Sequence, residues 1–340
     1  MPTAPLTKLL IVDGHAYAYR AFHAIRHLRS PAGAPTNAIY GFIKMLGRMQ
    51  SNLTPSHSVV VWDGGLAAAR MAEHPEYKAQ RPPMPSDLEQ QFDGMTGYLE
   101  AAGIASLCQD GVEADDWIGV LAQLHATTVP VVIASSDKDF MQLVSDRVGI
   151  LNPNDKTEKV WGPVEVRAKT GLEPAQIVDW LALIGDAVDN IPGVPGVGPK
   201  TATDLLTQFG SVDELYRQLG GAAPPALTPR LKASLEASRE IVQKNQRLIR
   251  LRTDIRAVPL EQLAVRASLP ERLASMYAEW GFKTMLAQLT QGSVHPGSTE
   301  AGPPPVSNAE PGISAGSDAS NLSGKGSSEL IQPLEQGVLL

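Results

Sequence analysis

The chain has 340 residues, and its 43% hydrophobic content supplies the core of one large or two modest globular domains. Its 29 Lys and Arg residues against 36 Asp and Glu residues give a net charge of -7, which taken alone argues against a nucleic-acid partner, and no apolar run is long enough for a membrane span or a signal-peptide core. The single Cys108 cannot form an intrachain disulfide and lies in an apolar run typical of a buried side chain, so we expect a monomeric, cytoplasmic protein without a catalytic cysteine.

The first half of the chain alternates between strand and helix patterns. Short β-branched runs predict buried strands at residues 8–13, 57–63, 129–137 and, with a weaker pattern, 148–153. Amphipathic patterns predict helices at residues 37–52, 87–102, 113–126 and 138–144. This alternation predicts an α/β fold with a mainly parallel central sheet flanked by helices. The polar stretch 70–87 fits neither pattern, and we interpret it as an excursion over the edge of the sheet.

The second half changes character twice. From about residue 164 to residue 291 the pattern is helical, interrupted by the Gly/Pro-rich "IPGVPGVGPK". From Gly292 onward the chain is rich in Pro, Gly, Ser and Asn without periodicity, which predicts a disordered tail. We therefore divide the chain into an α/β core at 1–165, a helical region at 166–291 and a tail at 292–340. The tail carries more than half of the net negative charge, so the body is less acidic than the total suggests.

Carboxylates recur at the ends of the predicted strands. Asp13 ends the first strand, Asp63 ends the second, and Asp137 and Asp139 lie at the end of the third. Alone, such a residue is often a turn former or a helix cap. In an open parallel sheet, however, the carboxyl ends of the strands meet at one edge, where ligands bind. The sequence therefore predicts a carboxylate cluster at that edge.

Two further acidic groups join this cluster. Glu113, Asp115 and Asp116 open a predicted core-packed helix, and Asp186 and Asp189 share a face if their segment is helical. So many carboxylates require cations, and oxygen ligands favour Mg²⁺, with Mn²⁺ as a substitute. Two such ions would activate a water and stabilise the leaving oxygen of a phosphodiester. His15 lies nearby without a partner ligand, so we interpret it as structural or substrate-adjacent.

Five motifs resemble, in order and spacing, the 5′ nuclease of bacterial DNA polymerase I and the wider flap endonuclease family: "VDGHAYAYRAF", "VWDGGLAAARMAEHPEYKAQRPPMP", "GVEADDWIG", "SSDKDFMQLV" and "LIGDAVDNIPGVPGVGPKTATDLLTQFGS". The resemblance covers about residues 8–290. It implies a structure-specific 5′-3′ exonuclease and flap endonuclease in replication and repair, acting by a two-metal-ion mechanism on DNA with 5′ flaps, nicks or 5′ ends. It also implies a helical arch at about 70–100, and metal binding by all the acids named above.

The resemblance further assigns residues outside the acidic cluster. It places Lys78 and Arg81, together with Arg70, among the arch cations at the scissile phosphate, where they suit developing negative charge. Tyr19 matches a position that stacks on the terminal base, and Arg20 one that holds a phosphate. A core aromatic is the alternative for Tyr19. The chain departs from the family before Arg70, where "GGLAAA" replaces the usual aromatic and polar residues.

The segment "GVPGVGPKTA" resembles the family's helix-hairpin-helix, expected at about residues 175–210. Its glycines permit a tight path, and the N–H groups opening the next helix can bind a phosphate without recognising bases; the residues are Gly193, Gly196, Gly198, Lys200 and Thr201. The resemblance implies a K⁺ ion held there by backbone carbonyls. A plain Gly-rich helix linker is the alternative.

Two other functions stay open on the sequence: a small PIN-type RNase, which would generally lack the hairpin and the helical half, and a non-catalytic DNA-junction-binding protein, which would lack some of the acids. The terminal "LEQGVLL" loosely resembles short sliding-clamp-binding peptides through Gln336, Leu339 and Leu340, with a chance apolar end as the alternative. No polymerase segment follows the nuclease motifs, so the resemblance is compatible with a stand-alone enzyme or a shortened polymerase.

Overall fold

A computed structural model describes residues 8–221, 227–256 and 258–291; the predicted tail, with Gln336, Leu339 and Leu340, lies outside these ranges. The main sheet contains β1 (Leu9–Asp13), β2 (His57–Val61), β3 (Ala105–Leu107), β4 (Val131–Ala134), β5 (Val148–Leu151) and β6 (Val160–Trp161). Their spatial order is β3-β2-β1-β4-β5-β6, with β6 antiparallel to β5 and the other neighbours parallel. The predicted mainly parallel α/β sheet is thus confirmed.

The sheet is buried on both faces, as a parallel sheet with helical crossovers must be. In β1, Leu9 and Ile11 belong to one hydrophobic cluster and Leu10 and Val12 to another, because successive side chains point to opposite faces. All four residues are buried. The chain builds outward from β1 through β2 to β3 and then returns to β4, so the strand order reverses beside β1. This topological switch point is where an open α/β sheet forms a crevice.

One face of the sheet packs against helices from both ends of the described chain. They are α1 (Gly14–Ala24), α2 (Asn37–Leu53), α4 (Ser86–Glu89), α5 (Phe92–Ala101), α13 (Pro270–Trp280) and α14 (Lys283–Thr290). The opposite face packs against α6 (Ala114–His125) and against the helical half of the chain, with α3 (Ala68–Glu73) at the margin. The helical half consists of α7 (Pro163–Thr170), α8 (Ile177–Ile184), α9 (Pro199–Phe209), α10 (Val212–Leu219), α11 (Pro229–Ala237) and α12 (Arg239–Ile249). Short 3₁₀ helices occupy Lys138–Leu143, Pro174–Gln176 and Leu260–Leu263.

A tight hairpin joins α8 to α9. The two-residue strands β7 (Gly185–Asp186) and β8 (Ile191–Pro192) pair antiparallel at its base. Gly193 follows, and a Cβ atom there would lie 2.2 Å from the carbonyl oxygen of Ile184, so only glycine allows this approach. Gly196 has φ +82, a left-handed conformation that also favours glycine. The glycine-rich segment is therefore a hairpin between two helices, as predicted.

Two sequence expectations are corrected by the structure. Residues 92–101 do not belong to an arch: α5 is a core helix that buries Met95, Tyr98 and Leu99, because its apolar stripe faces the sheet. Cys108 is exposed rather than buried, because it follows β3, which is an edge strand. Within the described ranges, no helix is both long and apolar enough to cross a membrane.

Candidate active site

The strands at the switch point deliver two of the predicted acids to the same crevice. Asp13 ends β1, and its Oδ1 accepts the N–H of Ala16 at 3.0 Å, which caps α1. Its Oδ2 accepts the hydroxyl of Ser135, just after β4, at 2.8 Å. The same Ser135 oxygen accepts the N–H of Asp137 at 3.1 Å. Burial raises the pKa of Asp13 although both hydrogen bonds oppose the shift.

Asp137 and Asp139 flank the start of the 3₁₀ helix after β4. Asp137 Oδ1 accepts the N–H of Asp139 at 2.8 Å, whereas the buried Asp139 Oδ1 has no hydrogen-bond partner in the structure. Burial raises the pKa of Asp137 to about 6. Burial, together with the charges of Asp137 and Asp189, raises the pKa of Asp139 well above its usual range. A buried carboxylate oxygen without a donor, among other carboxylates, suits a hard divalent cation.

Glu113 and Asp116 lie deeper, in a buried ion network around Arg70. The Arg70 Nη1 donates to Glu113 Oε1 at 2.8 Å, and its two Nη atoms each donate to one oxygen of Asp116 at 2.7 Å. Arg70 is 6% exposed, and both acids are fully buried. The predicted contact of Arg70 with the scissile phosphate is therefore wrong for this structure, because its guanidinium is enclosed and saturated by protein acceptors.

Lys78 lies among the acids rather than on an exposed arch. It is 4% exposed, and its ammonium contacts Glu113 Oε2, with Asp115 at 3.7 Å and Asp189 at 3.9 Å. Burial opposes its charge, but the Asp115 and Asp189 carboxylates outweigh burial and raise the pKa of Lys78. Burial also raises the pKa of Asp115 well above its usual range, and Asp137 adds to the shift.

Arg81 and Tyr77 also contact Asp189. The Arg81 Nη2 donates to Asp189 Oδ1 at 2.7 Å, while the buried Arg81 Nε has no partner in the structure. The Tyr77 hydroxyl lies 3.3 Å from Asp189 Oδ2 and 3.2 Å from Glu113 Oε2. Tyr77 is not among the predicted site residues, although its position beside Lys78 in "EYKAQR" is a signal in the sequence.

Asp186 and Asp189 approach the cluster from the hairpin base, on β7 and the following turn rather than on a helix as their spacing allowed. Asp186 Oδ2 is 3.1 Å from the ammonium of Lys138, and Asp186 Oδ1 accepts the N–H of Val188. Lys138 is a second contact residue outside the predicted set, although it stands between two of the predicted acids in "SSDKDF". Its contact with Asp186 ties the hairpin base to the 3₁₀ helix after β4.

The last acid, Asp63, is half-buried after β2. Its Oδ1 accepts the N–H of Gly65 at 2.8 Å, and its own N–H donates to His15 Nδ1 at 3.1 Å. Burial lowers the pKa of His15 and so favours the neutral ring, whose Nδ1 lone pair accepts this N–H. Across the described ranges, no three His, Cys, Asp or Glu side chains stand in the geometry of a formed metal site. Basic side chains contact five of the nine predicted acids: Glu113, Asp115, Asp116, Asp186 and Asp189.

The predicted DNA-contacting residues lie on two separate elements. On α1, Tyr19 is half-buried and its ring stacks on His23 at 6.3 Å, while the exposed Arg20 donates to Asn154. On α9, Gly198 is the N-cap residue, and Lys200 in the first turn is exposed. Their roles toward DNA stay predictions.

Comparisons with known proteins agree with this architecture. Residues 8–171 match the family model described as 5′-3′ exonuclease, N-terminal resolvase-like domain, and residues 172–271 match the 5′-3′ exonuclease, C-terminal SAM fold. The chain is 36% identical to a 5′-3′ exonuclease of Aquifex aeolicus over 83% of this chain and 94% of that protein. It is 40% identical to DNA polymerase I of Pseudomonas aeruginosa over 85% of this chain, but it spans only 32% of that protein.

Solved structures share the fold at lower sequence identity. A zinc-bound T5 5′-exonuclease is 24% identical, with a TM-score of 0.59 over 84% of this chain and 97% of that one. The catalytic core of Rad2 in complex with DNA substrate is 16% identical, with a TM-score of 0.54 over 83% of this chain and 91% of that one. The alternative of a small PIN-type RNase loses its basis, because the helical half and its hairpin are present. The two family models cover most of the chain, and the chain therefore belongs to the 5′-3′ exonuclease family.

Proposed function

We propose that the protein is a structure-specific 5′-3′ exonuclease and flap endonuclease that hydrolyses DNA phosphodiesters with two Mg²⁺ ions, for which Mn²⁺ can substitute. Its biological role would be the removal of primers and flaps during replication and repair. The observation that carries this proposal is the carboxylate cluster at the switch point, where Asp139 keeps a buried oxygen without a hydrogen-bond donor. Family membership and the metal-bound T5 structure support it.

Five acids are the strongest candidates to hold the ions. They are the carboxylates that approach one another in the crevice without being saturated by Arg70: Asp13, Asp115, Asp137, Asp139 and Asp189. Asp63 and Asp186, with Glu113 and Asp116 behind them, complete the predicted set. When bound, the ions would supply an activated water and charge stabilisation for the leaving oxygen. The raised pKa values of Asp13, Asp115, Asp137 and Asp139 have one physical origin, because burial beside other carboxylates disfavours the charged form of each.

The basic residues would act on the phosphate itself. Lys78 and Arg81 both contact Asp189: Lys78 lies inside the cluster, and Arg81, whose side chain is 32% exposed, lies at its margin, where a scissile phosphate would be held. A preorganised ammonium or guanidinium there stabilises charge as it develops, with little reorganisation during the reaction. Arg81 is the more exposed of the two, and the ammonium of Lys78 pairs with Glu113.

Duplex DNA would bind through the hairpin. The backbone N–H groups of Lys200 and Thr201 open α9 and, with the Lys200 ammonium, suit a phosphate without selecting a sequence. We propose that carbonyls of the hairpin around Gly193, Gly196 and Gly198 hold a K⁺ ion. Tyr19 and Arg20 would receive the terminal nucleotide.

A substrate comparison tests the proposal. Labelled 5′-flap, nicked and single-stranded DNA, and an RNA flap of the same sequence, are incubated with Mg²⁺ or with EDTA. We expect cleavage of the flap near its junction with the duplex in Mg²⁺ and none in EDTA. Preference for the RNA flap over the DNA flap would contradict the proposal, and tight flap binding without cleavage in Mg²⁺ would favour the junction-binding alternative.

A further inference from the structure

Arg70 makes an unusually complete set of hydrogen bonds. Besides its contacts with Glu113 and Asp116, its Nε donates to the carbonyl of Leu248 at 2.9 Å and its Nη2 to that of Arg250 at 3.4 Å. All five N–H groups of the guanidinium therefore have acceptors. The two carbonyls lie at the end of α12, where helical carbonyls lack partners and favour a cation.

This network joins three segments that are distant in sequence. Arg70 lies on α3, Glu113 and Asp116 lie at the start of α6, and Leu248 lies in the last turn of α12. The backbone N–H of Arg252 also donates to Asp116 Oδ1 at 3.0 Å, so the segment after α12 binds the same carboxylate. Arg70 is thus the point at which the helical half is fastened to the acid-bearing end of α6.

The Arg70 hydrogen bonds set the orientation of α6 about its own axis. Glu113 and Asp116 are three residues apart and share the face that Arg70 holds. Asp115 lies about 100° away from Asp116 around the helix, and this turn directs it toward the crevice and Lys78. A change in the Arg70 network would rotate or loosen the first turn of α6 and move Asp115 within the cluster.

We propose that Arg70 is a positioning residue, which orients Asp115 for metal binding and Glu113 for holding Lys78, and does not itself touch the substrate. This inference rests on the proposed metal-dependent function. The inference predicts that metal binding depends more on the forked hydrogen-bond geometry of the Arg70 guanidinium than on its charge. A Lys at this position keeps the charge but cannot pair with both oxygens of Asp116 and both α12 carbonyls.

A charge role and a positioning role of Arg70 predict opposite changes in divalent-ion affinity when Arg70 is removed. If Arg70 acted only through its charge, its removal would take a cation away from the acids and tighten divalent-ion binding. If it positions the acids, its removal weakens that binding. Losing the partner that orients a ligand typically costs 10- to 100-fold in metal affinity or activity.

The experiment measures Mn²⁺ binding by calorimetry, without DNA, for the wild-type chain and for Arg70→Lys and Arg70→Gln. Arg247→Met is the matched control, because Arg247 also links α3 to α12, through Glu73, but contacts none of the nine predicted metal-binding acids. We expect both Arg70 variants to bind Mn²⁺ about 10- to 100-fold more weakly. On flap DNA, turnover by Arg70→Lys should fall by a similar factor with little change in KM, whereas Arg247→Met should behave as wild type.

Three results would overturn the inference: tighter Mn²⁺ binding by Arg70→Gln, wild-type binding and turnover by Arg70→Lys, or an equal effect of Arg247→Met. Circular dichroism at the assay temperature checks that each variant is folded, and if Arg70→Gln is not, the charge-conserving Arg70→Lys decides alone. Failure of the proposed function is distinguishable, because the wild-type chain itself would then show neither Mn²⁺ binding nor cleavage.

Discussion

Lys78 is a buried ammonium whose nearest neighbours are carboxylates. We predict that Lys78→Met lowers flap-cleavage turnover about 100- to 1,000-fold, because a cation at the scissile phosphate acts mainly in the transition state. Flap affinity should change little, since other basic residues supply it. Single-turnover kinetics and fluorescence anisotropy measure the two quantities, with Lys159→Met as a control, since its exposed side chain pairs with Glu165. A variant altered only in KM would contradict the role.

Asp137 makes stability depend on pH in a direction opposite to that of a salt-bridged acid. Its pKa is raised from 3.8 to about 6, so in the window between these values the folded state keeps a proton that the unfolded state releases. The contribution to stability therefore falls as pH rises through the window. In EDTA, Asp137→Asn should exceed wild type in unfolding free energy by about 1–3 kcal/mol at pH 8 and by much less at pH 4. Urea unfolding measures this, and an equal difference at both pH values would disprove it.

The acids could be located from the sequence because each follows an apolar run or opens a helix pattern. The sequence could not specify which of these acids remain available to bind a metal ion. Asp116 and Asp115 are adjacent, yet one is fully buried against Arg70 and the other faces Lys78. Arg70 is more than forty residues away from both along the chain. Such long-range pairing leaves no local pattern, so Arg70 was assigned to the phosphate instead.

At the scale of elements, the strongly apolar strands and the glycine hairpin were predictable, and the weak elements were not. β3 spans Ala105–Leu107 at the sheet edge, with its side chains largely outside the core, so it leaves only a faint apolar signal. α5 was predicted as a helix but assigned to an arch, because the resemblance concerns order along the chain and not burial. The apolar stripe of α5 indicates that one face of this helix is buried, and this local pattern predicts its place in the core better than the resemblance does.

The hairpin and the start of α9 make a second prediction at this scale. We expect Lys200→Ala to weaken binding to duplex DNA of any sequence and to lower the slope of log affinity against log salt by about one. Lys283→Ala is the control, because Lys283 is an exposed first-turn lysine of α14, which packs on the other face of the sheet. Binding titrations at several salt concentrations measure the slope. An unchanged slope would leave the hairpin as a plain linker between helices.

At the scale of the whole molecule, we propose that the terminal peptide containing Gln336, Leu339 and Leu340 docks on the sliding clamp. A peptide on a long polar segment would raise the local concentration of the nuclease at the clamp without constraining its search of the DNA. Deletion of residues 336–340 should leave cleavage of naked flap DNA intact and abolish clamp binding in calorimetry. Wild-type clamp affinity in the deletion variant, or no binding by the full chain, would refute the proposal.

The molecule as a whole brings acids from the α/β core and from the helical half to one crevice, which we propose is the metal-dependent nuclease centre. Asp139 tests it most directly, because its buried oxygen lacks any hydrogen-bond donor in the structure. We predict that Asp139→Ala reduces single-turnover cleavage of a 5′-flap DNA in Mg²⁺ by at least about 1,000-fold while anisotropy shows flap affinity within a few-fold of wild type. Cleavage by Asp139→Ala at the wild-type rate would contradict the account.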